Sequence, residues 1–252
     1  MSEFERDLVG PETRPALVFV HGGSHTAQCW NSTIRAVARL DGEVQMLAVN
    51  LPGRGDEPGD LGTLTIAQCA QSVVDQIDRA GLDSVVLVGH SLAGITLPGV
   101  AAALGPGRVR SMVYLACAVP PQGQSVLSTL KPPSSWIAGL MSKFQKVSKP
   151  MPAPLAKRMF ANGMTDELQN EVVAGLVPES AVIRNEPVDR SGTPELPTTW
   201  ILTLRDRALP PDLQHDFIAN LGTVGEVIEM DTCHNAMMSE PDRLAEILLG
   251  HC

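Results

Sequence analysis

Short, mostly apolar runs recur along the chain at 16–20, 44–49, 84–89, 109–115, 198–204 and 224–230. Runs of this length with little polar alternation read as strands covered on both faces. Between them lie longer stretches with apolar residues at helical spacing, near 27–40, 64–80, 92–104, 210–220 and 239–249. Strand and helix in turn predict an α/β protein with a mostly parallel, doubly wound sheet and helices on both faces. Residues 2–13 are assigned one or two short antiparallel edge strands on a weak pattern. The rhythm breaks between Val119 and Pro197, where proline is dense and helical patterns replace strands. This predicts a helical cap over 121–195, inserted between two core strands, with 1–120 and 196–252 forming the core domain. Within the cap, Trp136, Ile137, Leu140, Met141 and Phe144 recur at helical spacing. Thr165-Asp166-Glu167 reads as a helix start, a capping residue followed by acids in the first turn.

The strand at 84–89 runs into Gly89-His90-Ser91-Leu92-Ala93-Gly94 with a helical pattern directly behind it. A strand that turns sharply into a helix displays the residue at its apex. This is the layout of a nucleophile elbow with Ser91 at the apex. The positions two before and two after must be small, and they are Gly89 and Ala93. The strand at 16–20 leads into His21-Gly22-Gly23-Ser24-His25. Glycine after a buried strand lets a main-chain amide approach a substrate unobstructed. Gly23 and Leu92 are therefore the candidate oxyanion-hole donors, with Ser24 as the alternate for Gly23.

Asp206 follows one late strand and His234 follows the next, so parallel pairing brings both to the edge that carries Ser91. The chain order Ser, Asp, His suits a triad in which His234 is the base and Asp206 fixes its imidazole. Asp231, close to His234 in sequence, is the alternative acid. His90 points away from the nucleophile at an elbow and is read as structural. His21 and His25 are assigned to shaping the pocket or to local hydrogen bonds, His215 and His251 to the surface. Ser24, Trp136, Leu140, Met141 and Phe144 are candidates for lining an apolar substrate pocket. The cap residues among them equally suit packing of cap on core.

Composition narrows the classes. At 252 residues the chain is long enough for one α/β domain with a substantial core. No apolar run approaches the ~20 residues needed to cross a bilayer. The N-terminal stretch is polar and acidic, without the basic start and apolar run of a secretory signal, so a cytoplasmic protein is expected. Five scattered cysteines predict reduced thiols. No cysteine and histidine spacing suits zinc, and there is no phosphate loop or dinucleotide fingerprint, so no metal or cofactor is expected. A net charge of −9 argues against nucleic acid as a partner. That charge is unevenly spread. Lys131, Lys143, Lys146, Lys149, Lys157 and Arg158 all fall between 121 and 165, a stretch without an acid. Lys143, Lys146 and Lys149 repeat every third residue beside the apolar stripe. They are expected either to ring the pocket entrance, attracting an anionic carrier, or to form a solvated face balancing an acidic body.

Together these residues resemble the α/β-hydrolase family over nearly the whole chain outside the insert. His21-Gly22-Gly23-Ser24-His25 with Cys29-Trp30 resembles the oxyanion segment of the plant methylesterase and hydroxynitrile lyase group and its bacterial esterase relatives. Met112 to Pro120 is similar to that group's sixth strand, and His234 to Pro241 to its histidine loop. Two positions depart from the pattern. Asn50-Leu51-Pro52-Gly53-Arg54-Gly55 stands where the family often has Asp-Leu-Pro-Gly-His-Gly, a change expected to leave the catalytic set untouched. Asn235 follows His234 where the cyanohydrin-cleaving relatives carry Lys, which speaks against lyase activity. The resemblance implies an α/β-hydrolase fold and a cofactor-free serine hydrolase. Its implied substrate is a small to medium apolar carboxylic ester, cleaved through an acyl-enzyme. An acyl thioesterase or lactonase uses the same chemistry and stays open, as does a triad-bearing small-molecule receptor.

Overall fold

The computed structural model describes residues 14–129 and 145–252. Six strands form one parallel sheet: β1 (Ala16–Val20), β2 (Met46–Val49), β3 (Val85–His90), β4 (Val109–Leu115), β7 (Thr198–Thr203) and β8 (Glu226–Met230). Their order is β2-β1-β3-β4-β7-β8, every neighbouring pair parallel. All six expected strands form, each within two residues of its expected bounds. Residues 2–13, expected at a sheet edge, lie outside the described residues.

The unbroken apolar runs are explained by two cores, one on each side of the sheet. In β1, Ala16, Val18 and Val20 enter one cluster while Leu17 and Phe19 enter the other. Val85 and Leu87 part from Val86 and Val88 in the same way along β3. The two-residue period of a strand sends alternate side chains to opposite faces. Helices α2 (Ile66–Arg79), α3 (Leu97–Leu104) and α7 (Pro211–Leu221) cover the first face through residues such as Val73, Ile77, Val100 and Phe217. Helices α1 (Asn31–Leu40) and α8 (Pro241–Leu249) cover the second through Ala36, Val37, Leu244 and Leu248. Parallel strands share one carboxyl edge, so the loops after β1, β2, β3, β7 and β8 open on the same side.

Between β4 and β7 lies the insert, of which residues 121–129 and 145–195 are described. It holds a 3-10 turn (Val126–Thr129), helices α4 (Ala153–Phe160), α5 (Asp166–Ala174) and α6 (Val182–Asn185), and an antiparallel ribbon of β5 (Val147–Ser148) with β6 (Glu179–Ser180). Helix α5 begins as expected, Thr165 Oγ1 accepting from the Leu168 amide. Lys146 and Lys149 are exposed, but they flank β5 and do not share a helix face. Lys131, Trp136, Leu140, Met141, Lys143 and Phe144 lie outside the described residues. No helix among the described residues is long and apolar enough to cross a membrane.

Candidate active site

The chain leaves β3 at His90 in extended conformation and reaches φ 53° at Ser91. A left-handed value costs a residue with a side chain roughly 1–3 kcal/mol, and persists only where the surroundings enforce it. Here the Ala118 amide donates to the Ser91 carbonyl at 2.8 Å. The turn is also crowded. A Cβ at position 89 would lie 2.7 Å from Leu97 Cδ1 and 3.2 Å from Ala93 Cβ. Alanine is accepted at position 93 because its neighbour across the turn has no side chain.

Ser91 Oγ lies 2.9 Å from His234 Nε2, and His234 Nδ1 lies 2.7 Å from Asp206 Oδ2. As a carboxylate, Asp206 can only accept. It takes the Thr203 hydroxyl on Oδ2 at 2.9 Å, and the Ala208 and Leu209 amides on Oδ1, both at 2.8 Å. The proton of His234 therefore sits on Nδ1, leaving Nε2 to accept from the serine. Thr203 is itself held by Gln214, whose Nε2 donates to Thr203 Oγ1 at 3.0 Å. The alternative acid, Asp231, is a surface group paired with Arg205 Nε at 2.9 Å.

The loop after β1 presses against the elbow. A Cβ on Gly22 would lie 2.7 Å from Ser91 Cβ, and one on Gly23 would lie 3.3 Å from Leu92 Cδ2. Gly23 and Leu92 thus stand together beside the serine. Leu92 is the second residue of the 3-10 turn Ser91–Ile95, whose first amides have no partner within the turn. Ser24 differs from the expectation that made it the alternate donor: its amide is engaged by Glu179 Oε2 at 2.7 Å.

Three further imidazoles are buried around the site. His90 Nε2 donates to the His234 carbonyl at 3.0 Å, so it ties the elbow to the histidine loop, as a structural role requires. His21 Nδ1 donates to the Gly22 carbonyl, and its Nε2 accepts from the Leu51 amide. His25 Nδ1 donates to the Gly23 carbonyl at 2.7 Å, and its Nε2 accepts from Asn235 Nδ2 at 3.0 Å. Burial penalises the charged ring, lowering His21 to about 3 and His25 to about 4, with His90 also pushed well below the ordinary value. Asn235, the position that is Lys in the lyases, is fully buried in this neutral network.

Several contributors carried no signal in the sequence. Phe160, at the end of α4, has its ring centroid 5.6 Å from that of His234, and its carbonyl accepts from the Asn235 amide. Thr203 and Gln214 look like ordinary strand and helix residues until they meet behind Asp206. Arg54 makes no contact with Ser91, Asp206 or His234 among the described hydrogen bonds, but Glu179 links it to the loop after β1, its carboxylate holding both Arg54 and the Ser24 amide. A cavity of about 250 Å³ lies beside His25, walled also by Gln28, Cys29, Val172 and Met238. Among the described residues no group of three or more His, Cys, Asp or Glu is placed to hold a metal.

Comparison with known proteins identifies the family. A model described as the alpha/beta hydrolase family matches residues 17–247. A carbendazim hydrolyzing esterase of Nocardioides sp. (strain SG-4G) is 28% identical, covering 92% of this chain and 97% of its own. Methylesterase 18 of Arabidopsis thaliana is 25% identical, covering 92% and 95%. Among solved structures, an extracellular alpha/beta-hydrolase from a Paenibacillus species superposes with a TM-score of 0.83 at 24% identity, covering 94% and 99%.

Proposed function

The chain belongs to the alpha/beta hydrolase family, and on that premise we propose that it is a serine hydrolase cleaving small to medium apolar carboxylic esters through an acyl-enzyme. The observation that carries this reading is the continuous chain from Ser91 Oγ to His234 to Asp206, with the serine strained at the apex of its elbow. His234 Nε2 takes the Ser91 proton as Oγ attacks the acyl carbon. The carbonyl oxygen becomes an oxyanion beside the Gly23 and Leu92 amides. As the ester C–O bond breaks, His234 returns the proton to the leaving alkoxide. Water then repeats the sequence on the acyl-serine, and the acid departs. Phe160 lies against the base, its ring centroid 5.6 Å from that of His234.

Esters of small alcohols are the first substrates to test, because one relative is named a methylesterase and another an esterase. Thioesters of an anionic carrier are a second reading, motivated by the exposed Lys146, Lys149 and Arg158 on the insert. A panel of methyl and p-nitrophenyl esters and acyl-thioesters of graded chain length separates the two. Wild-type protein should label with a fluorophosphonate. Ser91→Ala should lose both labelling and several orders of magnitude of ester turnover. Wild-type-like turnover in Ser91→Ala would refute the assignment.

A further inference from the structure

Two opposite charges are buried together beneath the oxyanion loop. Glu179 comes from β6 of the insert and Arg54 from the loop after β2, each 2% exposed. Arg54 Nη2 donates to Glu179 Oε1, and Arg54 Nη1 donates to the Pro52 carbonyl at 2.8 Å. Glu179 Oε1 also accepts from the Ser180 amide at 2.6 Å, while Oε2 accepts from the Ser24 amide at 2.7 Å. A buried ion pair adds little stability over an apolar pair of the same volume. Its placement here points to what it holds.

What it holds is one peptide plane. The Gly23 carbonyl accepts from His25 Nδ1 at 2.7 Å, and the Ser24 amide on the other side of that peptide donates to Glu179. Ser24 sits at φ 58°, and its own carbonyl accepts from the Val177 amide of the insert at 2.9 Å. Glycine at position 23 admits close approach to a reacting carbonyl but leaves the backbone torsions loose. Pinning the following peptide at both ends restricts that freedom, because the preceding peptide is also held, its Gly22 carbonyl accepting from His21 Nδ1 at 2.8 Å.

We propose that Glu179 is a positioning residue for the oxyanion hole. Its carboxylate fixes the 23–24 peptide and so restrains the Gly23 torsions from one side, while His21 on the Gly22 carbonyl holds the 22–23 peptide that carries the Gly23 N–H. Arg54 balances a buried negative charge that would otherwise oppose the developing oxyanion. Catalytic competence thus depends on a contact made by the insert, not by the core alone. The proposal rests on the serine-hydrolase reading above.

The test uses two charge-balanced double variants, assayed with a neutral p-nitrophenyl ester. Glu179→Gln with Arg54→Met keeps an oxygen that can accept from the Ser24 amide. Glu179→Leu with Arg54→Met removes it. Deleting an oxyanion donor costs roughly 10²–10³ in kcat, and misdirecting one costs less. The Leu variant should lose about 10- to 100-fold in kcat with KM within about threefold, and the Gln variant no more than about fivefold. Affinity for a trifluoromethyl ketone, which adds to the serine as an oxyanion, should fall in parallel with kcat/KM. Equal losses in both variants, a loss confined to KM, or unchanged kcat in the Leu variant overturns the proposal. If the Leu variant does not fold, Glu179→Asp keeps the charges and withdraws the acceptor by one methylene. It should lose about tenfold in kcat, and an unchanged kcat there is equally fatal. Ser91→Ala runs in parallel. Turnover retained in it sinks the hydrolase reading itself, whereas an inert Ser91→Ala beside an unimpaired Leu variant sinks this proposal alone.

Discussion

Replacing Asp206 by asparagine exchanges four accepted hydrogen bonds for a group that can accept on one side only. The new side chain has two orientations. If the amide oxygen faces His234, the NH2 meets the Ala208 and Leu209 amides, donor against donor, where two 2.8 Å bonds had been. If the oxygen faces those amides, both backbone bonds survive. The NH2 then faces Thr203 and His234, and both can adapt. The Thr203 hydroxyl turns its proton away and accepts, and the imidazole moves its proton to Nε2 so that Nδ1 accepts. The second orientation wins because it leaves no buried backbone donor unpaired, a defect worth about 1–3 kcal/mol apiece. Its consequence is an imidazole that offers Ser91 a donor in place of an acceptor. Loss of the correct tautomer in a Ser-His-Asp triad costs about 10⁴-fold in kcat, or about 5.5 kcal/mol of barrier. Stability should change by no more than about 2 kcal/mol, since a neutral amide is cheaper to bury than a carboxylate. Steady-state kinetics on a p-nitrophenyl ester and thermal unfolding separate the two effects. Asp206→Asn retaining more than a tenth of wild-type kcat would refute the reasoning. Asp231→Asn, altering a surface pair with Arg205, should be close to wild type; a crippled Asp231→Asn would identify it as the working acid.

Gly22→Ala introduces a Cβ 2.7 Å from Ser91 Cβ and 2.9 Å from the His90 carbonyl. Overpacking of this kind costs about 1–3 kcal/mol, and the displaced serine should lower kcat/KM at least about 100-fold; near-normal kinetics would show that the loop yields. Acid should destabilise the fold through its buried imidazoles. His21 and His25 titrate at about 3 and about 4 when folded and near 6.5 when unfolded. Below pH 6.5 the unfolded chain binds more protons, so stability present at neutral pH is lost as pH falls toward those folded values. Each histidine contributes a slope of about 1.4 kcal/mol per pH unit between its two values. Denaturant unfolding from pH 7 to 4.5 should show this, and His25→Gln should flatten it; an unchanged slope in that variant would mean His25 is not a source of it.

The strands and the order of the candidate triad were legible in the sequence because they depend on local pattern. A strand covered on both faces needs apolar residues at every position, so β1 and β3 stand out as unbroken runs. The elbow needs small residues at fixed offsets from Ser91, so Gly89 and Ala93 mark it. Parallel strands put their following loops on one edge, so Asp206 and His234 could be brought to Ser91 without coordinates. The insert was read less well. Its ribbon of β5 and β6 is two residues per strand, too short to impose a period. Only the tertiary structure decided which groups surround the candidate triad. Glu179 reaches Ser24 across 155 residues of sequence, Thr203 and Gln214 meet behind Asp206, and Phe160 settles on His234. Buried polar groups must find partners wherever the fold has brought them. Those pairings follow from the packing of distant elements and leave no trace in the local spacing of residues.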